Sequence, residues 1–131
     1  MDSYAQYEAL KAELDRLGVR LVETPLKHYG VWGLYVHATK TVATDPSLTA
    51  RQRTATLAHE YTHALRGDDG HQSPAVERLV SEEAARLLID ARDYAQAEEL
   101  YGADEYAIAA ELDVALAVVQ HYRSWLSRSR V

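Results

Sequence analysis

The hydrophobic period changes twice along this chain, and the changes confine what it can fold into. Residues 3–17 carry Tyr4, Tyr7, Leu10, Leu14 and Leu17 at three- and four-residue spacing, with Gly18 behind them. That is the pattern of an amphipathic helix and its stop. Three short apolar stretches follow: Val19–Val22, Val31–Val36 and Lys40–Thr44. They read as strands, with Pro25 and Gly30 punctuating the first connection and residues 37–39 short enough for a hairpin. From Thr49 onward the helical period returns and holds to the end. Thr49 with Gln52 forms a capping box for a helix over 50–66. Ser73 and Pro74 open a second helix that reaches about residue 91, serine as cap and proline at the first helical position. Shorter helices follow at 93–101 and 104–112, and a last one at 115–127. The chain is 131 residues long and has no repeat, low-complexity tract or linker that would split it. The expectation is one α+β domain, mainly helical, with a small three-stranded sheet packed on the 50–66 helix.

Composition closes off several classes of chemistry. The chain has no cysteine, so disulfides, thiolate metal sites and cysteine nucleophiles are excluded. A net charge of −6 argues against a protein whose main task is gripping phosphate backbones. The start, Met1-Asp2-Ser3-Tyr4, lacks a basic segment followed by an apolar one, and no apolar run approaches a membrane span. The expected location is the cytoplasm, with no membrane partner.

The helix expected over 50–66 carries His59-Glu60-Tyr61-Thr62-His63, an H-E-x-x-H pentapeptide. Residues four apart on a helix lie one turn apart on one face, so the two imidazoles can grip a single zinc ion. Zinc takes neutral imidazole readily, and a catalytic zinc keeps one position open for water. Glu60, beside the two histidines, is then the general base of a metal-assisted hydrolysis. Core or surface histidines are the plain alternative. The helical context and the capping box weigh against it.

Two histidines do not hold a catalytic zinc alone; a third protein ligand is usual. The extended H-E-x-x-H-x-x-G-x-x-H pattern fails here, because Arg66 and Asp69 stand at its glycine and last histidine. A glutamate from the following helix is the other common solution, and Glu77, Glu82 and Glu83 all lie there. That helix reads Glu77-Arg78-Leu79-Val80-Ser81-Glu82-Glu83-Ala84-Ala85-Arg86-Leu87-Leu88. Over residues 50–90 the chain resembles the ImmA/IrrE-type zinc metallopeptidases, many of them encoded by phages and mobile elements. In that family the second helix has the form Glu-x-x-x-(Asp/Asn)-x-x-Ala-(Ala)-x-Leu-Leu. The resemblance implies a zincin-like fold and a Zn2+ ion held by His59, His63 and Glu77, with Glu83 in reserve. Glu82 and Glu83 otherwise read as a solvated face. Ser81 departs from the family's Asp or Asn at a position suited to orienting a ligand.

The resemblance further implies a zinc-dependent endopeptidase acting on a protein or peptide, such as a helix-turn-helix transcriptional repressor. Residues 1–92 would form the catalytic core and 93–131 a helical extension. The tetrahedral oxyanion of peptide hydrolysis needs a further donor. The chain offers His71, Tyr35, Arg66 and His37. His71 is the choice made here, since it lies in the loop between the two metal helices. A peptide could add to an exposed sheet edge, with Val31–Val36 and Lys40–Thr44 as candidates.

The C-terminal third has helix-turn-helix spacing, with Ala109 at the close-contact position, Asp113 at the turn and Val114 after it. Charge speaks against a DNA reader. Residues 93–113 hold Asp93, Glu98, Glu99, Asp104, Glu105, Glu111 and Asp113 and no lysine or arginine. Helical packing or protein docking is the expected use, and DNA binding is not. The alternative to a working peptidase is a non-catalytic regulatory or protein-binding module that keeps the zinc-site fold.

Overall fold

A computed structural model describes residues 1–129; Arg130, the last arginine of the C-terminal third, lies outside the described residues. Six helices and one sheet follow in the order α1 (Ser3–Arg16), β1 (Arg20–Glu23), β2 (Gly33–Val36), β3 (Thr41–Thr44), α2 (Ala50–Arg66), α3 (Pro74–Leu88), α4 (Ala91–Tyr101), α5 (Glu105–Leu112) and α6 (Leu116–Ser129). The α+β expectation holds. A single 3-10 turn at Lys27–Tyr29, which the sequence did not announce, bridges β1 and β2.

The sheet order is β1-β3-β2, with β1 parallel and β2 antiparallel to β3. The β2–β3 hairpin turns through residues 37–40, closed by the Lys40 N–H on the His37 carbonyl at 3.1 Å. This order corrects one expectation. The Lys40–Thr44 stretch cannot accept a peptide, because β3 is the central strand and both its edges are already paired. Its Val42 and Thr44 are fully buried. Only β2, of the two candidate strands, keeps an open edge.

Helix α2 is the spine. Both halves of its capping box form: the Gln52 N–H donates to Thr49 Oγ1 at 3.3 Å, and the Thr49 N–H donates to Gln52 Oε1 at 3.0 Å. The helix packs against α1, α3, β2 and β3. Leu57 and Ala58 are fully buried in it, while Leu65, in the last turn, stays exposed. The α1 stripe buries Tyr7, Leu10 and Leu14 but leaves Tyr4 in solvent. Helix α3 stops at Leu88, short of residue 91, because Asp90 caps α4 by accepting the N–H groups of Arg92 and Asp93.

Of the C-terminal helices, α6 packs onto α3, and α5 packs against α4 and α6. Glu82, expected on a solvated face, is instead buried. Helix α6 covers it, and the Ser124 hydroxyl, at 2.8 Å, and the Arg128 guanidinium donate to its carboxylate. The α5–α6 turn is fixed by Asp113, a left-handed residue at φ 54°. The Asp113 carboxylate accepts from the Ser3 N–H and from Arg51 Nε, both at 2.8 Å. The turn is thereby bolted to α1 and α2.

Candidate metal centre

The two histidines of the pentapeptide lie one turn apart near the C-terminal end of α2, and α3 crosses in front of them. His59 Nε2 is 2.8 Å and His63 Nε2 is 3.1 Å from the same Glu77 oxygen, Oε1. The donor atoms of these three side chains all lie within 4.8 Å of one another. Two imidazole nitrogens and one carboxylate converging on a point form the donor set that zinc favours. The residues present therefore fit the group the motif implies. Glu83 is exposed and stands outside this cluster.

Each histidine is also held from behind. His63 Nδ1 lies 3.0 Å from Asp68 Oδ2, and His59 Nδ1 lies 3.3 Å from the Ser81 hydroxyl. When a ring's Nδ1–H donates to such a partner, its Nε2 lone pair is free to face a metal. The second oxygen of Glu77 accepts the Gln72 N–H at 2.7 Å, which fixes the carboxylate's orientation. Ser81 thus does reach a histidine ring, with a neutral hydroxyl where the resembled family carries Asp or Asn.

Asp68 was not singled out from the sequence, yet a signal for it exists. Gly67 ends α2 in the left-handed conformation at φ 74°. The Asp68 N–H bonds the His63 carbonyl at 3.1 Å and the Gly67 N–H bonds that of Ala64 at 3.2 Å. This is a Schellman cap. It folds the residue after the glycine back over the histidine five positions earlier.

The electrostatics follow from burial and pairing. Burial pushes the Glu60 carboxyl up to about 7, and the charge of Glu77 adds to it against the pull of His63. Burial lowers His59, against the hydrogen bond and charge of Glu77. Burial would lower His63 too, but hydrogen bonds to Asp68 and Glu77 outweigh it, so that ring is raised. Burial works to raise Glu77, and the Gln72 N–H with the two imidazoles overcomes it, so this carboxyl is lowered.

Glu60 sits beneath β2, and the close approach explains Gly33. A Cβ at that position would stand 3.1 Å from Glu60 Cγ and 2.5 Å from Thr56 Cγ2. Of the four candidate oxyanion donors, only His71 lines the pocket beside His59 and Glu60. Arg66 is committed to Asp68 at 2.7 Å, and Tyr35 and His37 are paired with each other at 2.9 Å. The same pocket is lined by Trp32, an aromatic of the candidate peptide-edge stretch Val31–Val36, and by His121, which the sequence reading did not place at the site.

No helix among the described residues is long and apolar enough to cross a membrane. No curated protein and no solved structure matches the chain significantly. A peptidase family profile, described as the IrrE N-terminal-like domain, matches residues 14–123. That span takes in the whole donor cluster, its outer partners and most of α6. The chain belongs to this IrrE N-terminal-like family of metallopeptidases.

Proposed function

We propose that this protein is a zinc-dependent endopeptidase in which His59, His63 and Glu77 hold the metal and Glu60 moves the proton. The observation that carries the reading is the convergence of both Nε2 atoms on Glu77 Oε1, with both Nδ1 atoms occupied from behind. A divalent ion in this donor set supplies Lewis-acid activation of water and of a peptide carbonyl. Glu60 accepts a proton as water attacks and passes it to the departing amine. Its buried setting, with a carboxyl near 7, suits a group that must both take and give a proton near neutrality. A cation beside it favours its ionised, proton-accepting form.

His71 is the donor we assign to the developing oxyanion, since it is the candidate that lines the pocket. The peptide would extend along β2, the open edge nearest Glu60, with main-chain hydrogen bonds setting its direction. Residues 1–92 carry every metal-holding and catalytic group named here, which supports reading them as the catalytic core and the later helices as an extension packed against it. A repressor-type regulatory protein is the substrate class that family resemblance suggests.

The test is metal content, measured beside His59→Ala, Glu77→Ala and Glu60→Gln. One zinc per chain is expected, lost or weakened in the first two variants and retained in the third, with peptide hydrolysis absent from all three. Zinc bound equally weakly by all four proteins would sink the reading and leave a helical binding module.

A further inference from the structure

The pocket beside the candidate metal centre extends well beyond the reacting groups. It has a volume of about 350 Å³ and extends from His59 and Glu60 past Ser81 to α6. Its walls away from the chemistry are apolar: Trp32, Ala55, Ala84, Leu88, Ala117 and Val118. The alanines leave the room, and Leu88, Val118 and Trp32 supply the contact surface. Glu60 is the one carboxyl group in the lining, and no lysine or arginine is present. With Glu60 assigned to proton transfer, a charged side chain entering here would lose its hydration without a lysine, arginine or second carboxylate to pair with, whereas an aliphatic or aromatic one would gain by burial.

One polar group in that wall has no assigned task. His121, on α6, is half-buried and lines the pocket, yet it makes no hydrogen bond to any described residue. Ligand pockets commonly combine apolar walls with a few convergent polar groups that fix orientation. A partly buried imidazole without a partner fits that part.

We propose that this pocket selects a bulky apolar side chain beside the scissile bond, and that His121 hydrogen-bonds the backbone of the same substrate residue. The inference rests on the peptidase reading above for the word substrate, but the pocket itself does not depend on metal. It also gives α6 a share in specificity, through Ala117, Val118 and His121.

The two tryptophans make the test direct. Trp32 lines this pocket, and Trp125 lies in a separate groove. The probes are the N-acetyl hydroxamates of leucine, phenylalanine, aspartate and glycine. Each is titrated into metal-free and zinc-loaded protein while the two indole N–H signals are followed by NMR. Leucine and phenylalanine should move the Trp32 signal and leave Trp125 in place, with affinity at least about tenfold above glycine. Aspartate should bind no better than glycine. Ala117 is exposed on its helix, so Ala117→Leu should fold normally and bring leucine and phenylalanine down to the affinity of glycine. His121→Ala should weaken all four probes alike and keep their order, and His121→Gln should recover part of the loss.

Equal affinity for leucine and glycine in the wild type would overturn the proposal. So would a leucine preference that survives both Ala117→Leu and Ala117→Phe. If zinc changes no affinity while the side-chain order persists, the pocket stands and the catalytic reading falls.

Discussion

Asp68 offers the sharpest test of how the proposed metal centre is built. Its carboxylate stands 3.0 Å from His63 Nδ1, and His63 is 2% exposed. In Asp68→Ala the ring loses its anchor, and its buried Nδ1–H loses its partner. An unpaired buried donor costs about 1–3 kcal/mol. Loss of a partner behind a metal ligand typically weakens metal binding about 10–100-fold. The bond is charge-assisted and water has little access, so Asp68→Ala should fall near the upper end of that range. Asp68→Asn keeps an acceptor without the charge and should lose about tenfold. Ser81→Ala should lose less still, because it removes a neutral contact at 3.3 Å from His59, whose side chain is 22% exposed and can recruit water. Asp68 also accepts from Arg66 Nε at 2.7 Å, so Arg66→Ala is the control. That variant breaks the exposed ion pair, keeps the Asp68–His63 contact and should hold zinc within about threefold. The assay is competition against a chromophoric chelator near neutral pH, with circular dichroism to verify folding. If Asp68→Ala bound zinc as tightly as wild type, or if Ser81→Ala cost more than Asp68→Ala, the argument that buried Nδ1 partners orient this site would be wrong.

Three further predictions concern the frame. Arg128→Ala strips the guanidinium from buried Glu82; a fully buried pair would cost about 3–5 kcal/mol, but Arg128 is about half exposed, so about 1–2 kcal/mol is expected in urea unfolding. An unchanged unfolding midpoint would show that Ser124 alone satisfies Glu82. Hydrogen bonds from the Leu26 N–H and then from the Ser47 hydroxyl and N–H hold the Asp45 carboxyl down at about 2, below its ordinary 3.8. A carboxyl lowered in the folded state contributes stability above its unfolded value and loses it as pH falls through the folded one. The melting-temperature gap between wild type and Asp45→Asn should therefore be widest above pH 4 and close between about 4 and 2; a gap constant across that window would contradict the assignment. Gly33→Ala drives a methyl to 2.5 Å from Thr56 Cγ2, on a stiff β-branched side chain, and should destabilise by about 1–3 kcal/mol. Adding Thr56→Ser removes that carbon and should restore part of the loss; no recovery would place the strain in the backbone instead.

The readability of the chain divides along physical lines. Local signals survived because they are decided locally. The Thr49–Gln52 capping box, the Ser73-Pro74 start and the two-residue period of β2 and β3 depend on neighbours a turn or a residue away. His59, Glu60 and His63 were legible because a helix alone puts them on one face. Glu77 was not fixed by spacing, since Glu82 and Glu83 lie on the same helix; which carboxylate faces the histidines depends on how α3 is rotated against α2. The same rotation explains Glu82. Once Glu77 and Ser81 turn toward α2, Glu82 lies against α6, where the sequence gives no warning that Ser124 and Arg128 are waiting. Strand order was beyond reach for a similar reason. Placing β3 between β1 and β2 is a tertiary choice, and the alternation of its residues reads the same at an edge or in the centre.

The helix-turn-helix spacing of the last third illustrates how a local signal can be true and still not carry its usual function. Ala109 and Val114 are buried, and the Val114 N–H bonds the Ala109 carbonyl, as a tight turn between two packed helices requires. A DNA reader would then present cations on its second helix. Here Arg123 donates to the Tyr94 hydroxyl at 2.7 Å and the Gly102 carbonyl at 2.8 Å, and lies 3.5 Å from Glu105. Arg128 is bound to Glu82. Both cations of the described α6 are spent inside the molecule, and the turn residue Asp113 is held by Ser3 and Arg51. What remains is mechanical. Helix α6 grips α3 at Glu82, one residue beyond Ser81 and five beyond Glu77. A metal centre needs its ligands held to within about half an ångström, and a helix clamped on its far side meets that demand better than one free to roll. The motif's geometry has been kept, and its charge has been turned inward to hold the helix that carries Glu77.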